Sequence, residues 1–185
     1  MTGDDRMVCG FVRDVGRMPV TTAFVSPSIS RTGRFGYRVS QLPEVTMNVP
    51  PPPAITEPST LLVRSAPEAI KAARDFARRW LEVKGIDHAA VQVGLLVVNE
   101  LVTNAYRHGS APGDVISVRL YLSEVGPVAE VRDGSDAEPR ARPLTLDSFT
   151  GRGLAIVSEL TKAWGFRRLA SGGKSVYAVL NGGAA

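Results

Sequence analysis

Residues 115–122 alternate without a break. Val115, Ser117, Arg119 and Tyr121 fall on one side, and Ile116, Val118, Leu120 and Leu122 on the other. Strict period-two alternation over eight residues describes a half-buried β-strand. A second strand, Val125 to Val131, follows directly through Ser123-Glu124, so the pair reads as an antiparallel hairpin. This hairpin constrains the fold more than any other segment, because its apolar side has to be covered by other elements. The helical patterns upstream of it are the candidates to do so.

Two such patterns precede the hairpin. Ser65-Ala66-Pro67-Glu68 matches a capping box, with Ser65 as the N-cap. The helix then runs to about Val83 with Ala66, Ile70, Ala73, Phe76, Ala77, Trp80 and Leu81 as its apolar stripe, and Lys84-Gly85 ends it. Asp87 caps a second helix from His88 to about Arg107, whose buried stripe is Val91, Leu95, Val98, Val102 and Ala105. Glu100 and Asn104 share the face opposite that stripe, flanked by Leu96 and Val97. After the hairpin, residues 134–150 lack periodicity and read as a loop, long enough to favour a functional lid. A third helix over Leu154–Ala163 comes next, with Trp164 at a helical apolar position. The strands Phe166–Leu169 and Ser175–Leu180, joined by Ser171-Gly172-Gly173-Lys174, complete the pattern. A short strand at Thr60–Val63 precedes the first helix. Helices interspersed with hairpins predict an α+β fold: a mixed, mostly antiparallel sheet covered on one face by helices.

Ahead of this domain, residues 1–57 hold short apolar pieces interrupted by Gly, Pro and Arg and end near Pro50-Pro51-Pro52-Pro53, a stiff spacer. They are expected to be a low-order extension, with the folded domain spanning residues 58–182. The formal net charge of +4 is spread along the chain, which gives little support for nucleic-acid binding. A single cysteine, Cys9, excludes an internal disulfide and a cysteine metal cluster. The N-terminus has no signal-peptide core, and no apolar run reaches a membrane span, so a cytoplasmic location is expected.

Four segments carry chemistry. A carboxylate such as Glu100 can take a proton from water or a hydroxyl, and an amide oxygen such as that of Asn104, one helical turn away, can ligate Mg²⁺. An exposed polar helix face would look the same. Asp133-Gly134 at a strand end can accept a hydrogen bond from an exocyclic amine such as that of adenine, with Gly134 letting a ring approach, though Asp-Gly is also an ordinary turn. Gly151-Arg152-Gly153-Leu154 before a helix offers backbone N–H groups and a guanidinium to phosphate; hinge glycines are the bland alternative. Gly172-Gly173-Lys174-Ser175 precedes a strand instead of a helix, so it is not a Walker loop, and Lys174 reads as a solvated turn residue.

Taken together, Asn99-Glu100-x-x-x-Asn104 with His108-Gly109, Asp133-Gly134, Gly151-Arg152-Gly153-Leu154 and Gly173-Lys174-Ser175-Val176 resemble the GHKL superfamily of ATP-binding domains. The nearest pattern is the single-domain, actinobacterial branch of anti-sigma regulatory factors with serine/threonine-kinase activity. The resemblance covers about residues 59–181. It implies a two-layer α/β sandwich of the Bergerat type and ATP and Mg²⁺ as cofactors. It further implies that Glu100 is the general base and that Asn104 is the Mg²⁺ ligand, with Asn99 and His108 in the same box. Asp133 would read the adenine amine with Gly134 beneath the ring, and residues 136–150 would form the ATP lid. Gly151, Arg152 and Gly153, with Leu154 beside them, would wrap the phosphates, and Lys174 and Ser175 would shape the pocket edge. The implied acceptor is a Ser or Thr hydroxyl of an anti-sigma-factor antagonist, the second partner is a sigma factor, and homodimers are usual in this branch. Neither nucleic acid nor membrane is an implied partner. The chain departs from the family where Ser135 and Asp136 follow Gly134, so the second glycine of the adenine box is missing. A domain of the same fold that sequesters a partner without phosphotransfer is the alternative reading.

Overall fold

The computed structural model describes residues 49–139 and 153–182. In chain order the elements are β1 (Ser59–Arg64), α1 (Glu68–Val83), α2 (His88–Asn104), β2 (Val115–Ser123), β3 (Gly126–Asp133), α3 (Gly153–Leu160), β4 (Thr161–Arg168) and β5 (Lys174–Leu180). The five strands form one sheet in the order β1-β2-β3-β5-β4, and every adjacent pair is antiparallel. The expected α+β architecture is therefore present, with the same sequence of helices and strands.

Alternation divides the sheet into two chemically different faces. Ile116, Val118, Leu120, Ala129, Val131, Val176, Ala178 and Leu180 point one way and join residues of all three helices in a single core. Tyr121, Val128, Tyr177 and Val179 point the other way and form a separate small cluster. The five residues of the α2 stripe, Val91, Leu95, Val98, Val102 and Ala105, are all buried, and Val97 and Leu101 join them. Fully burying an aliphatic side chain of this size stabilises by about 1.5–3 kcal/mol, so the stripe holds α2 firmly in the core.

The helix ends follow local chemistry, with one exception. Asp87 caps α2, its Oδ1 accepting from Ala90 N–H at 2.9 Å. At the end of α1, Ile86 N–H donates to Leu81 and Gly85 N–H to Glu82, with Gly85 at φ 70°: a Schellman closure. The capping box at Ser65 does not form. The residue preceding α1 is Pro67, without a side-chain cap, and Ser65 is buried, its hydroxyl hydrogen-bonded instead to the Ser110 hydroxyl at 2.8 Å. The long-range contact to the end of α2 displaces the local one.

Two further differences bear on the site. α2 is α-helical through Asn104 and then widens into a π-helical turn, Ala105–Gly109, closed by the Ser110 hydroxyl donating to Ala105 O at 2.9 Å. The third helix stops at Leu160, and Thr161–Ala163, expected to prolong it, begin β4. The β-branched Thr161 donates its hydroxyl to Val157 O, and Trp164 pairs with Ala178 of β5. Sheet pairing overrides the helical spacing there. Before β1, Ile55 N–H donates to Leu122 O at 2.8 Å and Leu122 N–H to the Thr56 hydroxyl at 3.1 Å, which fixes the residues after the proline run along β2.

Candidate functional site

The second half of α2, the π-turn, the end of β3, the start of α3 and the start of β5 meet at one end of the core. Glu100 and Asn104 are one turn apart on α2, and both are partly buried. A Cβ placed on Gly153 would lie 2.6 Å from Glu100 Oε2 and 3.4 Å from Asn104 Nδ2. The first residue of α3 thus abuts both side chains, and only glycine leaves room there for the carboxylate. Glu100 Oε1 accepts from Asn99 Nδ2 at 3.4 Å, which orients the carboxyl group toward α3. Asn104 Nδ2 is buried and has no hydrogen-bond partner among the described residues. An orphaned buried donor is rare in folded proteins and marks a place where a ligand or ion completes the structure. The carboxamide can turn either its oxygen or its N–H groups to such a group.

The second half of the site is built on Asp133, whose side chain is 2% exposed. The π-turn delivers Gly109 directly against it, since a Cβ on Gly109 would overlap the carboxylate. Asp133 Oδ1 accepts from Lys174 Nζ at 2.8 Å and from Ser135 N–H at 3.0 Å. Lys174 also donates to Ser135 O at 3.2 Å. Burial pushes the Asp133 carboxyl above its ordinary value, against the opposing pull of the Lys174 ammonium and the Ser135 N–H. Among the described residues nothing lies within 4 Å of where a Cβ on Gly134 would be, whereas Gly173, at φ 79°, lies against the Asp133 carbonyl. Gly173 N–H donates to Asp136 Oδ1 at 2.9 Å, tying the β4–β5 turn to the segment after β3.

The structure therefore forms two groups, Glu100 with Asn99, Asn104 and Gly153, and Asp133 with Gly109, Ser135 and Lys174, linked along the chain by the π-turn that follows Asn104. Lys174 is a buried partner of Asp133, not the solvated turn residue that its Gly-Gly context predicts. His108 is exposed in the π-turn, and its neighbour Gly109 makes the close approach instead. Leu154 is a core residue of α3. Ser175 is not brought to this cluster: its side chain faces the other side of the sheet, where it donates to Glu130 at 2.6 Å. Gly151, Arg152 and residues 140–150 of the expected lid lie outside the described residues. Gly109 and Ser135 join the site without a sequence pattern that marks them as its members; for Gly109, the glycine closing the Asn99–Gly109 run is the available signal. Among the described residues, no group of three or more His, Cys, Asp or Glu could hold a metal ion, and no helix is long and apolar enough to cross a membrane.

Residues 63–180 match the family model described as histidine kinase-like ATPase domain. The chain belongs to this family. The match begins in β1 and ends at the last residue of β5, so all the elements that build the site fall within it. Among solved structures, the RsbU and RsbW domains of Rv1364c from Mycobacterium tuberculosis are similar to this chain, with 25% identity and a TM-score of 0.52 over 68% of its length. The chain spans 33% of the length of that protein chain. No curated protein matches.

Proposed function

We propose that the domain binds ATP with Mg²⁺ at this site and transfers the γ-phosphoryl group to a Ser or Thr hydroxyl of an antagonist protein, acting as an anti-sigma regulatory factor. Membership of the histidine kinase-like ATPase family and the likeness to a structure holding RsbU and RsbW domains support the reading. The observation that carries it is the meeting of Glu100 Oε2, the unpaired carboxamide of Asn104 and the glycine start of α3.

ATP supplies the transferable phosphoryl group when bound, with Mg²⁺ offsetting its charge. The residues present fit that pair. Asn104 offers one protein ligand to the cation, whose remaining ligands would be phosphate oxygens and water, as is usual for Mg²⁺. The N-terminus of α3 at Gly153, preceded by Gly151 and Arg152, offers backbone N–H groups and a guanidinium to phosphate. Glu100 accepts the proton of the attacking hydroxyl, held in orientation by Asn99. Asp133 accepts a hydrogen bond from the base amine, and the open space at Gly134 admits the ring. In phosphoryl transfer the protein's task is mainly positioning and charge stabilisation. A sigma factor and its antagonist protein are the partners this reading requires.

One observation favours a second reading, in which the domain sequesters a partner without turnover. Lys174 already occupies Asp133 Oδ1, and a base amine would have to share that carboxylate with an ammonium. The two readings separate on incubation with Mg²⁺ and radiolabelled ATP, with and without a candidate antagonist protein. Phosphotransfer predicts label on the antagonist, lost in Glu100→Ala while nucleotide still binds. Binding of ATP with no transfer to any candidate would leave the sequestering reading. Failure to bind nucleotide at all would remove the role given to Asp133.

A further inference from the structure

The face of the sheet away from the helices carries a charge cluster that the nucleotide site does not use. At its centre is Glu130 of β3, fully buried. Glu130 Oε1 accepts from Arg132 Nε at 3.0 Å, Arg132 Nη2 at 2.9 Å and the Ser175 hydroxyl at 2.6 Å, and Oε2 accepts from Arg119 Nη1 at 2.7 Å. Arg167 of β4 approaches too, but its Nη2 stands 3.8 Å from Oε1, beyond hydrogen-bond reach. Its Nε is buried and has no partner among the described residues. Three guanidinium groups therefore surround one carboxylate. One carboxylate balances one of the three guanidinium charges, which leaves the cluster two positive charges in excess among the described residues, with Arg167 the least engaged of the three.

Arg119 and Arg167 also line a cavity of about 210 Å³, with Tyr121, Glu130 and the run Pro50–Ala54 as its other walls. The volume has room for several water-sized groups, at about 30 Å³ each. Proline carries no N–H, so the proline wall adds no hydrogen-bond donor to those of the arginines and Tyr121. Both arginine side chains remain partly exposed, at 25% for Arg119 and 36% for Arg167, so an anion entering from solvent can reach them. The donors are also held in place. The Arg119 guanidinium lies 5.9 Å from the centre of the Tyr121 ring. Burial, and then the charge of Glu130, push the Tyr121 phenol up to about 12, so it keeps its O–H throughout the neutral range.

We propose that this cavity binds a phosphate group, free or as a phosphomonoester, with Arg167 as its principal ligand and Arg119 and Tyr121 as supporting donors. The excess of two positive charges in the cluster matches a phosphate dianion, whereas a carboxylate would neutralise one of them. The planar fork of arginine also suits phosphate oxygens. The inference is independent of the nucleotide site, which lies on the helix-covered side of the sheet.

Titration of the full chain with inorganic phosphate, and separately with phosphoserine, tests it by binding heat and by the NMR signals of the arginine Nε–H groups. Saturable binding is expected, weakened about tenfold or more in both Arg167→Met and Arg119→Met, the loss of one charge-assisted contact. Arg167→Lys should keep part of the affinity. Lys71→Met, which removes a charge from the exposed side of α1, should stay within about twofold of the parent on the same scale. Tighter binding of phosphoserine would identify a phosphorylated chain as the source, and equal binding a free phosphate. The proposal is overturned if the folded protein shows no saturable binding. It is equally overturned if binding survives in Arg167→Met and Arg119→Met but is lost in Arg152→Met, which would place the anion in the nucleotide site.

Discussion

Asp133 and Lys174 form a pair whose two charges are both nearly sealed from water, at 2% and 8% side-chain exposure. Removing one member of such a pair strands the other, at a cost of about 3–5 kcal/mol, while removing both together often costs far less. Lys174→Met should therefore destabilise strongly in urea unfolding, and Asp133→Asn with Lys174→Met should recover much of that loss. Equal destabilisation by the single and double variants would show that the ion pair is not what the two residues contribute. The pH dependence has a definite sign. Burial raises the folded-state carboxyl of Asp133 above its ordinary value. The native state then binds more protons than the unfolded chain between the two values, so this group's contribution falls as pH rises from about 4 through the raised folded-state value. Lys174→Met removes the group that opposes the rise, so the fall should extend to higher pH. Unfolding measured at a series of pH values checks this, and Asp133→Asn should flatten the trend. Glu100, the base of the proposed transfer, is only partly buried and has a single long hydrogen bond, from Asn99, so Glu100→Ala should leave the urea midpoint almost unchanged while abolishing label transfer.

At the scale of the elements, two glycine positions separate structural from functional crowding. At Gly153 the atom a Cβ would meet is Glu100 Oε2, the free end of a flexible side chain. Gly153→Ala should fold with stability within about 1 kcal/mol of the parent, since alanine favours the helix, yet lose phosphotransfer because the carboxylate is pushed aside. At Gly173 the atom met is the backbone carbonyl of Asp133, and φ is 79°. Gly173→Ala should cost more than Gly172→Ala, which has a similar φ of 87° but nothing within 4 Å; thermal unfolding of the two variants gives the comparison. These contacts also explain how far the fold is legible in the sequence. The α2 stripe and the Asp87 cap are local patterns of spacing and hydrogen bonding, and both form as expected. The π-turn leaves no trace in periodicity, because it depends on Ser110 reaching back to Ala105 and across to Ser65, 45 residues away in sequence. The Asp133–Lys174 pair spans 41 residues and needs the sheet register to appear. The start of β4 misleads because Trp164 keeps a helical apolar spacing while β5 captures the segment by pairing.

At the scale of the whole molecule, the sheet keeps two kinds of chemistry apart on its two faces. Adjacent residues of β5 show the division: Lys174 joins the Asp133 site and Ser175 joins the Glu130 cluster. The segment before β1 touches the second face alone, through the wall it gives to the cavity at Arg119 and Arg167. Its anchors are the two backbone hydrogen bonds of Leu122, to Ile55 and Thr56. A chain starting at Pro58 loses both, along with the proline wall. With each hydrogen bond contributing about 0.5–1.5 kcal/mol net, the truncated domain should unfold at lower urea by roughly 1–3 kcal/mol and still refold, because the three helices and the main core do not involve that segment. Nucleotide binding should be unchanged, since Glu100, Asn104, Asp133 and Gly153 lie on the covered face. Phosphate binding at the arginine cluster should weaken, since water then screens the two guanidinium groups more effectively. A truncated chain that lost nucleotide binding in step with phosphate binding would show that the two faces are coupled through the sheet, and that β5 transmits between them.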